Sequence, residues 1–110
     1  PVVLKWAGKG KSWVLVSEQP AHPLLQGVRV DQKPRVFWHH FVTPKPNASV
    51  VLKAGPEPTL ILGRYGKGRV ATLPLSPTGL AGKGEVAWWD WKGWFPLVRN
   101  LFGWSKEGRL

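Results

Sequence analysis

The chain has 110 residues, enough for one domain, and its 16 Lys and Arg outnumber six Asp and Glu to give a formal net charge of +10. Apolar residues make up 43% and aromatic residues 12% of it, which excludes a disordered tail. No apolar run approaches the roughly 20 residues of a membrane-spanning helix, and without a cysteine the chain has no disulfide, thiolate metal ligand or cysteine nucleophile.

Val2–Trp6 and Trp13–Ser17 are short β-rich runs joined by Ala7-Gly8-Lys9-Gly10-Lys11-Ser12, which reads as a hairpin or loop. Residues 19–28 read as a connection with one short helical turn, because Pro20 and Pro23 deny it a longer one. Strands are expected at Val36–Val42, closed by Thr43-Pro44-Lys45-Pro46-Asn47, and at Ser49–Lys53, ended by Gly55-Pro56-Glu57-Pro58. Thr59–Leu62 and Arg69–Leu75 flank the Gly-rich turn Gly63–Gly68 and are expected to pair as an antiparallel hairpin. Ser76–Gly84 is a Pro/Gly loop. The last element is a helix over about 90–103, in which Trp91, Trp94/Phe95, Val98 and Leu101/Phe102 recur at helical spacing. Asp90 is its expected N-cap, Pro96 falls in its first turn and Gly103 is its stop signal. The fold class is therefore α+β or partial α/β, mostly β with a hairpin around 59–75 and one C-terminal helix.

Eight tryptophans are the most informative composition feature, and five of them crowd the C-terminal stretch: Trp88, Trp89, Trp91, Trp94 and Trp104. They build an aromatic core, or meet a partner chain, or form a stacking platform for sugars or bases. Together with Phe95, Val98, Leu101 and Phe102 they make a set wider than one helix face can bury, so part of it is expected to contact another protein chain or a second copy of this one. The net positive charge makes anionic polymers the alternative partner, with Lys9, Lys11, Arg64, Lys67 and Arg69 in Gly-rich turns as contact residues.

Motifs for catalysis and cofactors are absent or fail on spacing. Gly8-Lys9-Gly10-Lys11-Ser12 ends like a phosphate loop, but the first glycine of that pattern would fall on Lys5, and a strand-like run follows where a helix is needed. His39 and His40 are adjacent, so on a strand they point to opposite faces, and a metal site is not expected. No Gly-x-Ser-x-Gly elbow surrounds any serine. No catalytic residue, cofactor or metal is assigned, and the chain is read as a non-enzyme. The absence of both Cys and Met suits an oxidising or hot environment, and a chain beginning at Pro1 reads as a mature or excised product; the compartment stays open, with a secreted or extracytoplasmic one favoured.

His22-Pro23-Leu24-Leu25-Gln26-Gly27-Val28, the run Phe37–Val42, the turn Tyr65-Gly66-Lys67-Gly68-Arg69-Val70, and Asn100 to Trp104 in the terminal helix together resemble the C-terminal half of class I glutamine-amidotransferase-like domains. The resemblance covers most of residues 13–104 and implies a flavodoxin-like α/β sandwich of which the nucleophile half has no counterpart here. It implies no catalytic residue, since the family's nucleophile is a cysteine. Residues 1–110 would then be a single small domain, a fragment or partner-dependent half of a larger amidotransferase-like domain, working as a non-catalytic binding or assembly module.

Overall fold

The computed structural model describes residues 3–8 and 11–107. Its eight strands are β1 (Val3–Trp6), β2 (Trp13–Val16), β3 (Arg35–Val36), β4 (Trp38–Phe41), β5 (Ser49–Ala54), β6 (Glu57–Tyr65), β7 (Gly68–Thr72) and β8 (Leu75–Ser76). One helix, α1 (Trp94–Glu107), comes last, and short 3-10 helices lie at Pro23–Leu25 and Val30–Gln32. The strands form a five-stranded sheet in the order β3-β2-β5-β6-β7 and a three-stranded sheet in the order β1-β4-β8. Every strand pairing is antiparallel, as expected of a mostly β chain with one terminal helix.

The β6–β7 hairpin forms where the glycines predict it. Tyr65 pairs with Gly68, leaving Gly66-Lys67 as a two-residue turn with Gly66 at φ 59°. A glycine with positive φ at the first central position is the signature of the II′ turn, whose twist matches that of the flanking strands.

β6 is the centre of the molecule. Its residues Thr59, Leu60, Ile61 and Leu62 are all buried, so both faces of the strand are covered. Leu60 and Leu62 join Leu15, Leu24, Leu52 and Leu97 in the main core, under α1 and the Pro23–Leu25 turn. Thr59 and Ile61 point the other way, toward the side where β4 packs. A bulge in β5 lets both Val51 and Leu52 be buried opposite this strand. Burial of each of these aliphatic side chains contributes about 1.5–3 kcal/mol.

Polar contacts tie the helix and the turn before it to the rest. Asn100, 8% exposed, donates from Nδ2 to the carbonyls of Leu24 (2.8 Å) and Gln26 (3.0 Å). Just before the helix, the Trp91 indole donates to the Arg29 carbonyl at 3.0 Å. The Trp91 ring folds back over Gly93 so closely that an added Cβ there would lie 2.3 Å from it.

Four expectations change. The first two runs do not form a hairpin with each other: β1 pairs with β4, and β2 pairs with β3 and β5, in separate sheets. The expected strand Val36–Val42 breaks at Phe37 into β3 and β4, one in each sheet. The helix begins at Trp94, so Asp90 is not its cap, and it runs through Gly103 to Glu107. Half-buried Trp104 packs against the core, and that contact outweighs the roughly 1 kcal/mol helix cost of one glycine. Finally, the flavodoxin-like sandwich implied by the amidotransferase resemblance is not present. That fold needs a parallel sheet with helices on both faces, whereas the parallel contact among the described residues is the isolated bridge Arg35–Ala87.

Replacing Asn100 by Ala is expected to destabilise the protein by about 1–3 kcal/mol, since the buried Leu24 carbonyl and the part-buried Gln26 carbonyl lose their donor. Urea unfolding of the two proteins checks this; equal midpoints would show that water replaces the amide at no cost.

Candidate functional site

The tryptophans separate by burial. Trp91 is 2% and Trp88 7% exposed, so these two are core residues, which removes them from the surface a partner could touch without local opening. Trp88 packs edge-on against Trp94 (5.0 Å) and Trp89 (5.8 Å), and Trp89 meets Phe37 at 6.0 Å. Trp89, Trp94 and Trp104 are half-buried against the same core. Of the five expected interface tryptophans, two are therefore buried and three present only part of their surface.

The exposed aromatic surface lies elsewhere. Trp6 is 54% and Leu4 47% exposed on β1, the outermost strand of its sheet. Both point to one face of β1, and Trp6 stacks on its cross-strand partner Trp38 at 5.7 Å with the rings 17° apart. Lys5 points to the other face and sits 5.4 Å from the Phe41 ring centroid. A second exposed apolar pair, Phe95 and Phe102, lies seven residues apart on α1, hence on one stripe, with exposed Arg99 between them. The alternation Leu4-Lys5-Trp6 and the spacing of Phe95 and Phe102 were the signals in the sequence. Neither tells by itself which side of its element is covered.

The basic residues divide as well. Lys9 lies outside the described residues. Lys11 is exposed and leads into β2, which β5 separates from the β6–β7 hairpin. Arg64, Lys67 and Arg69 come together on that hairpin, with Arg64 directly opposite Arg69 in the strand register. The half-buried Arg69 reaches the end of α1 and donates to the Ser105 carbonyl at 3.5 Å, near the negative end of the helix dipole. Among the described residues, the ion pairs join Arg29 to Asp31, Arg35 to Glu85 and Lys53 to Glu18, so none reaches Arg64.

Beside this hairpin is a recess of about 300 Å³ that the sequence did not reveal. It is lined by His22 before the 3-10 helix, Asn47 in the turn before β5, Ser49 at the start of β5, Leu62 and Arg64 on β6, and Trp104 on α1. His22 caps that 3-10 helix: its Nδ1 accepts from the Leu24 amide at 3.1 Å. An accepting Nδ1 is unprotonated, which leaves Nε2–H as the donor of a neutral ring. Partial burial holds the His22 pKa below its ordinary value.

The other two histidines do not form a metal centre. His39 is fully buried, edge-on to Trp13 at 4.6 Å, and among the described residues no group of three His, Cys, Asp or Glu is placed to hold a metal ion. No helix among the described residues is long and apolar enough to cross a membrane.

No family model and no curated protein matches the chain. A solved structure does: cytoplasmic protein STM3548 from Salmonella typhimurium, at 19% identity and a TM-score of 0.75, covers 93% of this chain. This chain spans 39% of that one. At such identity the similarity carries the fold alone. With no amidotransferase family model matching, and with antiparallel sheets and a single helix in place of a doubly wound sandwich, the amidotransferase resemblance is withdrawn. The extracytoplasmic location favoured from composition is withdrawn too, because the similar structure is described as a cytoplasmic protein.

The His22 environment predicts a pH dependence of stability. Its depressed pKa means that the unfolded chain takes up the proton first as pH falls below about 6.5. Stability is thus fully present above that pH and declines until the folded imidazole is protonated as well. Melting temperatures between pH 7.5 and 5 are expected to fall more steeply for the parent protein than for His22→Asn, which keeps a capping side chain that does not titrate. Identical slopes would show that His22 is not the group responsible.

Proposed function

We propose that this chain is a non-catalytic binding and assembly module whose β1 edge is covered by further polypeptide. The observation that carries the reading is the exposure of Leu4 and Trp6 on an outermost strand. An edge strand offers a row of backbone donors and acceptors, and edges of monomeric proteins are usually short, charged or covered. Here the edge bears two large apolar side chains and a single charge, Lys5. Exposed apolar surface beside an open edge is what β-augmentation by another segment uses.

The non-catalytic part of the proposal rests on the titratable groups. Glu18, Asp31 and Glu85 are each engaged with a cation, His39 is buried, and the Nδ1 of His22 is occupied by a backbone amide. The Ser12 hydroxyl donates to Glu85 at 3.5 Å, a long contact to a carboxylate already paired with Arg35, and among the described residues no third group orients the two as an activated nucleophile requires. A second reading, a module for anionic polymers, is supported by the like-charged pair Arg64 and Arg69 on the hairpin, though Arg69 also has a structural partner in the Ser105 carbonyl.

When the chain is isolated, a second copy is the polypeptide at hand to cover the β1 edge. Light scattering across protein concentration at about 0.5 M salt, where repulsion between the positively charged chains is screened, is expected to show dimers or larger species. Iodide quenching of tryptophan should fall as they form. Leu4→Lys places a second charge on the edge and is expected to give monomers with unchanged circular dichroism. A parent protein that stays strictly monomeric at every concentration and salt would overturn the proposal.

A further inference from the structure

We propose that the recess between the Pro23–Leu25 helix, β5, β6 and the end of α1 is a binding site for a small ring-shaped carboxylate of the uronic acid class. The site is separate from the β1 edge and independent of what covers it. Its volume of about 300 Å³ is at the lower end of ligand pockets, the size for one sugar ring and not for a polymer segment buried along its length.

The lining sets the chemistry. Arg64 is its one permanent charge, and no carboxylate is among the residues that form it. Arg64 faces Arg69 across the strands, an arrangement that costs energy unless an anion offsets it. Arg69 is engaged by the Ser105 carbonyl, and no ion pair among the described residues involves Arg64. A planar guanidinium takes a carboxylate through two parallel hydrogen bonds.

The remaining lining groups suit the ring of the ligand. The Asn47 amide and Ser49 hydroxyl each donate and accept, which matches sugar hydroxyls. His22 has spent Nδ1 on the Leu24 amide, so the polar atom left on its ring is the Nε2–H donor. Trp104 and Leu62 supply apolar surface, and an indole face is the platform on which a sugar ring stacks. A bare phosphate would use Arg64 and leave Trp104 unused. A neutral sugar would use Trp104 and leave Arg64 unused.

The walls of the recess are held by contacts between the elements that form them. Asn100 ties α1 to the carbonyls of Leu24 and Gln26, which places Trp104, about one turn further along, near His22. The register Ser49–Leu62 fixes the β5 and β6 walls against each other. The backbone of these walls is therefore fixed by packed elements, with Asn47 on the turn that leads into β5.

The test is a titration followed by amide and indole NMR signals, using sodium glucuronate, glucose and inorganic phosphate as separate probes. Glucuronate is expected to shift the Trp104 indole signal and the Asn47 amide saturably. Arg64→Gln, at an exposed position, is expected to weaken that binding about tenfold or more, the loss of a charged hydrogen-bond donor. Lys67→Gln, which removes the same charge from the hairpin tip outside the recess, should leave it within about twofold. Glucose is expected to bind at least about tenfold more weakly than glucuronate on the same grounds. Unmoved Trp104 and Asn47 signals, or equal weakening by both substitutions, would overturn the proposal. So would phosphate or glucose binding as tightly as glucuronate, since the first would show a simple cation and the second a site indifferent to charge.

Discussion

The middle of β6 must be dry on both sides, and the rest of the fold answers to that requirement. Thr59, Leu60, Ile61 and Leu62 are consecutive and buried, which a single sheet with one helix layer cannot achieve. One face is closed by α1 and the Pro23–Leu25 turn, through Leu97 and Leu24. The other is closed from the side of the three-stranded sheet, whose β4 carries the buried His39 against Trp13 of β2. Hence the chain has two sheets, where a simple reading of its strands would build one.

Closing β6 in this way uses up some tryptophans and leaves others. Trp88 and Trp91 fill the space before the helix, and Trp91 is further anchored by its hydrogen bond to the Arg29 carbonyl. The small sheet, needed to cover one face of β6, has an outer edge of its own with nothing beyond it among the described residues. Trp6 and Leu4 are on that edge. The Trp6 and Leu4 surface is thus a consequence of how the core is covered, at the other end of the chain from the Trp-rich stretch, where Phe95 and Phe102 expose a second apolar pair.

Charge acts on a different scale. The +10 net charge opposes self-association at low salt and favours anionic ligands everywhere on the surface, without selecting a place. Selection comes from local geometry. Lys67 stands on an open turn, Arg69 is engaged with the helix end, and Arg64 is beside a recess with an indole and neutral hydrogen-bonding groups. Residues of the same charge within one hairpin therefore have three different surroundings.

The sequence by itself determined the local elements. Glycine at a positive-φ position fixed the β6–β7 hairpin, and apolar spacing at three and four residues fixed a terminal helix, because both signals act within a few residues of chain. It placed strands at most of their observed positions for the same reason. What it could not determine was pairing between distant segments. Val3–Trp6 and Trp13–Val16 look like neighbours, yet they belong to different sheets, since each strand pairs where its faces are buried best. The run around Phe37 reads as one strand but serves both sheets. Gly103 reads as a helix stop, and the packing of Trp104 carries the helix past it. The recess lined by His22, Asn47, Arg64 and Trp104 was decided by tertiary structure alone, because its residues come from four separate stretches that no local periodicity connects. Burial of an individual tryptophan was decided there too: an indole is equally at home in a core and at an interface, and only the packing around it distinguishes Trp91 from Trp6.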